Sequence, residues 1–334
     1  MRYVSYVNIA RLLVLLAAGS VSVSGVLADE NGAGRVTVSG ISSGGHAAVQ
    51  MHVALSKTIS GAAVVAGGPY HCAEGNLLNA LGRCISGAAL EAAPLVEAAR
   101  AAAIAGTIDP VESLSDDRVW LFHGKADHVV QSGVMDALRE FYAAFLPEQA
   151  IALVDDIPAS HGWPTLDKGI ACGEMGADYI NACDYDAAGE LLQQLYGALN
   201  PPTEALEANL QVLDQTSIVA DGGYFADSGF AYVPESCVEK KGECRLHVTF
   251  HGCRQGKEFI EDRFARMSGL NEWAESNRII VLYPQVDKSL MNPQGCWDWW
   301  GYTGADYDLR SGKQVAGISA LIEAWSGQDH QSKP

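Results

Sequence analysis

The chain has 334 residues, 48% of them hydrophobic and 19% charged, with a mean hydropathy of +0.04. This excludes a disordered or low-complexity chain and supplies enough apolar material for one large core. Forty acidic residues against 22 basic ones give a net charge of −18. Such a surface repels phosphate backbones and anionic lipid heads, so neither nucleic acid nor a membrane is expected as a partner.

Residues 1–28 are expected to be a signal peptide. Arg2 and Arg11 are the only charges there, 12–18 is a short apolar core, and Val26-Leu27-Ala28 fits a small-residue cleavage site. Ser20, Ser22 and Ser24 interrupt the stretch well short of the ~20 apolar residues that a spanning helix needs. Export is therefore expected, to the periplasm or beyond the cell. Residues 29–334 read as a single domain, without internal repeat or linker.

Strand-like runs then alternate with helix-like ones, the pattern of a mostly parallel sheet covered on both faces. The predicted strands are 35–39, 62–66, 119–123, 150–154, 246–251 and 279–284. Helices are expected at 46–55, within the Ala-rich run 88–105 over a sheet edge or cleft, and on Leu191, Leu192, Leu195 and Leu199 up to the Asn200-Pro201-Pro202 break. Phe264, Met267, Leu270 and Trp273 fall at helical spacing, as do Val315, Ile318, Ile322 and Trp325. Both stripes read as core.

Gly40-Ile41-Ser42-Ser43-Gly44 is the only GxSxG of the chain. The motif is weak alone, but a β-type run enters it and a helix-like run leaves it. That is the context in which flanking glycines let a strained turn lift a serine hydroxyl above a sheet. A serine hydroxyl needs an adjacent base, itself oriented by a third group. Asp127 follows the strand 119–123, whereas Asp116 and Asp117 stand at its wrong end. His161 lies in the polar loop after 150–154, free to reach Ser42. Of the other histidines, His128 beside Asp127 is the strongest competitor.

One oxyanion donor is the N–H of the residue after the nucleophile, Ser43. The second should follow a neighbouring strand, but nothing upstream of Ser42 could supply one. Downstream, strand 246–251 runs into His251-Gly252-Cys253-Arg254, an oxyanion turn in the wrong half of the chain. Circular permutation accounts for this, with Ser43 and Cys253 as the two backbone donors.

The stretches VSGISSGGHAA, FHGKADHVV, ASHGW, VTFHGCRQ, IIVLYPQ and CWDWWGY, spread over most of the chain, resemble the single-domain poly(3-hydroxybutyrate) depolymerases. That family also holds related secreted esterases. The resemblance implies an α/β fold of the circularly permuted α/β-hydrolase type, with Ser42 as nucleophile, Asp127 as acid, His161 as base and the Ser43 and Cys253 amides as oxyanion hole. It also implies a crevice lined by apolar and aromatic side chains. Trp297, Trp299 and Trp300 suit such a wall or contact with an apolar polymer, against the alternative of rings packed inward.

Eight cysteines, an even count in an exported chain, read as disulfides, and their spacing is too wide for a metal site. Pairing neighbours in sequence predicts Cys72–Cys84, Cys172–Cys183, Cys237–Cys244 and Cys253–Cys296. The last would tether the tryptophan loop to the oxyanion turn. The expected activity is cofactor- and metal-free hydrolysis of a polyester or oligoester through an acyl-enzyme, by a monomer. The alternatives are an esterase for soluble feruloyl, acetyl or other short-chain esters, and a non-catalytic binding protein on the same fold.

Overall fold

The computed structural model describes residues 1, 35–219, 224–239 and 243–326. The chain divides into the units Met1–Asn31 and Gly32–Pro334. The expected signal peptide lies outside the described residues apart from Met1, and every described strand and helix belongs to the second unit.

The strands are β1 (Val36–Ile41), β2 (Ile59–Val65), β3 (Arg118–Phe122), β4 (Ile151–Val154), β5 (Trp163–Thr165), β6 (Ile170–Ala171), β7 (Ile180–Ala182), β8 (Leu210–Asp214), β9 (Ser228–Tyr232), β10 (Arg245–Phe250) and β11 (Ile279–Tyr283). The helices are α1 (Ser43–Ala54), α2 (Leu77–Leu81), α3 (Arg83–Ser86), α4 (Ala92–Ile104), α5 (Ser132–Ala143), α6 (Ala187–Tyr196), α7 (Lys257–Ile260), α8 (Arg263–Met267), α9 (Leu270–Asn277) and α10 (Lys313–Ser326).

The main sheet runs β4-β3-β2-β1-β10-β11-β9-β8, and β5-β7-β6 form a small second sheet. The first six strands of the main sheet are mutually parallel, and β9 lies antiparallel to both β11 and β8. Counted from β8, the sheet reads 1-2-4-3-5-6-7-8 with only the second strand reversed, which is the α/β-hydrolase order. The chain simply starts at the fifth place, where β1 pairs with β10. Helix α10, which would lead into β1 in the unpermuted order, packs on α1 and β10.

Alternation along the parallel strands divides the core in two. Ala62 and Val64 of β2 and Ile280 and Leu282 of β11 face α1, α4, α5 and α10. Ala63, Val65, Ile279, Val281 and Tyr283 face α6, α8 and α9. Burial on both faces is what makes these strands read as unbroken apolar runs.

Two expectations need correction. Helix α6 stops at Gly197 (φ 86°), three residues before the double-proline break, because a left-handed glycine ends a helix without a steric penalty. The stripe from Phe264 to Trp273 is two helices, α8 and α9, separated at Gly269 (φ 82°). The Ala-rich run folds as α4 and packs on α5, which lies against the edge strand β4, so of the two placements expected it takes the sheet edge and lines no part of the cleft that holds Ser42.

Candidate active site

Ser42 stands between β1 and α1 with φ 57° and ψ −119°, a conformation that a non-glycine residue holds only at a cost of order 1–3 kcal/mol. The glycines on either side make the turn possible. A Cβ on Gly40 would lie 2.1 Å from the Gly44 carbonyl oxygen, and one on Gly44 would lie 2.2 Å from that of Phe250. Ser42 caps α1 with its backbone and makes no side-chain cap bond, so its hydroxyl is not committed to the helix. Helix α1 is buried along its whole length and presents its N-terminal N–H groups at the same point.

Asp127 and His161 arrive on the loops after β3 and β4. The two loops run side by side, with Lys125 N bonded to Ile157 O at 2.8 Å and Ala126 N to Ala159 O at 3.0 Å. Asp127 is 4% exposed and His161 6%. The Oδ1 atom of Asp127 accepts the N–H groups of Val129 and Val130 at 2.8 and 3.0 Å, and Oδ2 accepts His161 Nδ1–H at 2.8 Å. This bond fixes the tautomer and leaves Nε2 as the free basic nitrogen. The Tyr179 ring meets the imidazole edge-on at 6.2 Å.

Ser42 and His161 line one cavity of about 470 Å³ together with Ser43, Gly252 and Cys253. Gly40 of β1 pairs with Phe250 of β10, so the nucleophile turn and the His-Gly-Cys turn leave the same end of adjacent strands. A Cβ on Gly252 would lie 3.4 Å from that of Ser42. Among the described residues, neither the Ser43 N–H nor the Cys253 N–H has a backbone acceptor outside helix α1. The two turns meet although most of the chain separates them.

The other histidines are accounted for differently. His128 faces solvent, and His123 bonds the carbonyl of Val130 through Nε2 at 2.9 Å. His52 pairs with Asp117 and His71 with Asp308, neither beside a strained serine. His247 bridges Thr37 and Ser39 across β1 and β10, and burial pushes its imidazolium down to about 3. His46, on the cavity wall, is likewise pushed to about 3 by burial and stacks on Trp299 at 4.4 Å.

All four expected disulfides are present: Cys72–Cys84, Cys172–Cys183, Cys237–Cys244 and Cys253–Cys296. Of the three tryptophans, Trp299 and Trp300 line the cavity. Trp297 does not, which corrects its assignment to substrate contact. It is fully buried behind the oxyanion turn, edge-on to Phe250 at 4.9 Å. Asp298 folds the loop around itself by accepting the N–H groups of Trp300, Gly301, Tyr302 and Thr303, so the neighbouring rings diverge.

Sequence reasoning missed much of the cavity wall: Leu77 and Leu81 of α2, Ile85, Met175, Tyr179 and Met291. A signal was available. Three leucines at 77, 78 and 81 inside a loop closed by Cys72–Cys84 have too little chain around them to form a core of their own. Among the described residues, no group of three His, Cys, Asp or Glu side chains could hold a metal ion.

No family model matches the chain. It is 45% identical over 294 residues to a poly(3-hydroxybutyrate) depolymerase of Delftia acidovorans, covering 86% of this chain and 59% of that protein. The chain thus spans less than two thirds of that relative. It is 34% identical over 333 residues to a polyhydroxybutyrate depolymerase of Talaromyces funiculosus, covering 93% of this chain and 95% of the other. Among solved structures, the PHB depolymerase from Penicillium funiculosum superimposes with a TM-score of 0.82 at 32% identity, over 88% of this chain and 96% of that one. A serine-to-alanine variant of a PHB depolymerase, complexed with an R3HB trimer, gives a TM-score of 0.82 at 31% identity over the same shares. The chain belongs to the poly(3-hydroxybutyrate) depolymerase family.

Proposed function

We propose that the chain is a secreted serine esterase that hydrolyses poly(3-hydroxybutyrate) and its oligomers through an acyl-enzyme. Ser42 Oγ attacks the ester carbonyl while His161 Nε2 takes its proton. Asp127 holds the imidazole and stabilises the imidazolium, and the N–H groups of Ser43 and Cys253 hold the oxyanion. On collapse the ester C–O bond breaks, and His161 returns the proton to the leaving hydroxyl. Water, activated by the same nitrogen, then attacks the acyl carbon and releases the acid together with free Ser42.

The observation that carries the reading is the meeting of the strained Ser42 and the Asp127-bonded His161 in one largely apolar cleft. Its surroundings favour a polyester over a small soluble ester. Leu78, Leu81, Met175, Leu290 and Met291 are 81%, 59%, 62%, 100% and 68% exposed, and three of them also line the cavity. Apolar side chains held in water around a cleft mouth suit a neutral, water-insoluble substrate, whose recognition rests on hydrophobic contact and tolerates a protein of this negative charge. The name of the Delftia relative and the R3HB trimer bound by the structural neighbour point the same way. Four disulfides support export, and action as a monomer is part of the proposal.

The test sets clearing of poly(3-hydroxybutyrate) granules against release of ferulate or acetate from soluble esters. Clearing that Ser42→Ala abolishes is the expected result. Turnover confined to the soluble esters would replace the polymer by a small ester. A wild-type Ser42 unreactive towards a serine-directed phosphonate would leave only a binding protein.

A further inference from the structure

Behind the oxyanion turn stand two side chains that the chemical steps do not use. The Gly252 carbonyl accepts two hydrogen bonds, from His251 Nδ1–H at 2.8 Å and from Gln255 N–H at 3.2 Å. The Gly252 N–H donates to Gln255 Oε1 at 2.8 Å. The Gln255 amide in turn donates to the carbonyls of Asp178 and Tyr179 at 3.0 and 3.2 Å. One side chain thereby ties the turn to the segment that flanks His161. Both His251 and Gln255 are buried.

A carbonyl oxygen only accepts, so the shared proton belongs to His251 Nδ1. Burial pushes the imidazolium down to about 4, so the ring is neutral and Nε2 is bare. That Nε2 is buried without a partner, a cost that a carbon atom in its place would not incur. A purely space-filling ring would do better here as phenylalanine.

The geometry gives the imidazole a second use. In a trans peptide unit the C=O and N–H point to opposite sides. The Gly252 carbonyl and the Cys253 N–H belong to one such unit. Held on one side by His251 and Gln255, the unit turns its N–H to the other, and Gly252 and Cys253 both border the cavity that contains Ser42. Gly252 has no side chain to resist a flip of the peptide. We infer that His251 is a positioning residue for the hydrolysis: its Nδ1–H, with Gln255 as a second strut, locks the Gly252–Cys253 peptide so that the Cys253 amide meets the developing oxyanion. This rests on the proposed assignment of Cys253 as an oxyanion donor.

Two substitutions separate donation from shape. His251→Asn keeps an N–H near the Nδ1 position but loses the ring. His251→Phe keeps the ring, with its packing beside Trp297 at 5.8 Å, and loses the donor. On a soluble butyrate ester, His251→Phe is expected to lower kcat about 10- to 100-fold with KM within about twofold, the pattern of a contact made only in the transition state. Inhibition by an alkyl trifluoromethyl ketone, whose adduct carries the oxyanion, should weaken by the same factor. His251→Asn should keep most of both, and Gln255→Met should follow the phenylalanine variant, which keeps the test open if that variant fails to fold. The reverse order, Phe active and Asn impaired, would show packing alone and overturn the inference. So would ketone inhibition that stays tight in both His251→Phe and Gln255→Met. A wild type inhibited no better by the trifluoromethyl ketone than by the plain methyl ketone would remove the oxyanion assignment itself, and the inference with it.

Discussion

Removing the Cys253–Cys296 bridge is expected to weaken the fold and slow the reaction, whereas removing Cys237–Cys244 should affect stability alone. The bridges close separations of 43 and 7 residues. Chain-entropy arithmetic turns these into about 4 kcal/mol for the long loop and about 2.4 kcal/mol for the short one at 25 °C. Urea unfolding of the two double cysteine-to-alanine variants should therefore show unfolding free energies lowered in that order, with a steeper slope where the longer cross-link is lost. Activity separates them further. Cys253 carries the proposed oxyanion amide, and Cys296 holds its loop against the folded segment around Asp298. Losing one oxyanion donor outright costs about 10²–10³ in kcat, so a donor merely loosened should cost about tenfold or more. The assay is kcat on a soluble butyrate ester, well below either unfolding transition. Wild-type kcat in the Cys253/Cys296 double variant would refute the idea that the bridge fixes the amide. Equal stability losses in the two variants would refute the loop-length argument.

Ser42→Ala should abolish turnover with the fold intact, and Asp127→Asn should lower kcat by about 10⁴ by releasing the imidazole tautomer; near-wild-type rates in either would displace that residue. His46, His247 and His251 are held neutral, at about 3, 3 and 4 against 6.5 for the free side chain. Below about pH 6.5 the unfolded chain therefore binds protons that the fold refuses, and stability should fall towards pH 4 by up to about 4 kcal/mol per pH unit for the three sites. Asp287 and Asp298, raised by burial, bind protons in the folded state and offset part of this, while His71, raised by its bond to Asp308, loses its contribution only as pH rises above about 6.5. Urea midpoints at pH 7, 6 and 5 measure the slope, and a flat line would contradict the neutral histidines. Leu78→Ser with Leu290→Ser, both outside the cavity wall, should slow granule clearing several-fold and leave soluble-ester kcat unchanged. Equal clearing would place polymer contact elsewhere.

The six parallel strands were legible because burial on both faces writes them as continuous apolar runs. The two missed members of the main sheet, β8 and β9, carry no such run. Strand β8 is an edge with Val212 73% exposed, and β9 is the sequence SGFAY, so a face-by-face reading had little to find. Ser42 could be read because the turn leaves no room for a side chain at Gly40 or Gly44, a steric demand that survives in the sequence. The placements of Asp127 and His161 followed from strand ends alone. Trp297 was misplaced because the direction of its ring is set by four backbone N–H groups gathering on Asp298, an event of loop folding that linear spacing does not encode. The leucines of α2 needed the Cys72–Cys84 closure to be taken as a limit on packing.

The reordered chain also bears on how the protein is made. Strand β1 precedes its partner β10 by roughly 200 residues, so the edge of β1 that faces β10 lacks its neighbour until a long stretch of chain has come into place. A waiting edge of valine and isoleucine invites pairing with the wrong chain. Thr37 and Ser39 interrupt that run, and in the finished sheet they are the residues that bind His247. The same two hydroxyls put polar groups into an otherwise apolar strand and, in the finished sheet, bind β10 across 210 and 208 residues of chain through His247.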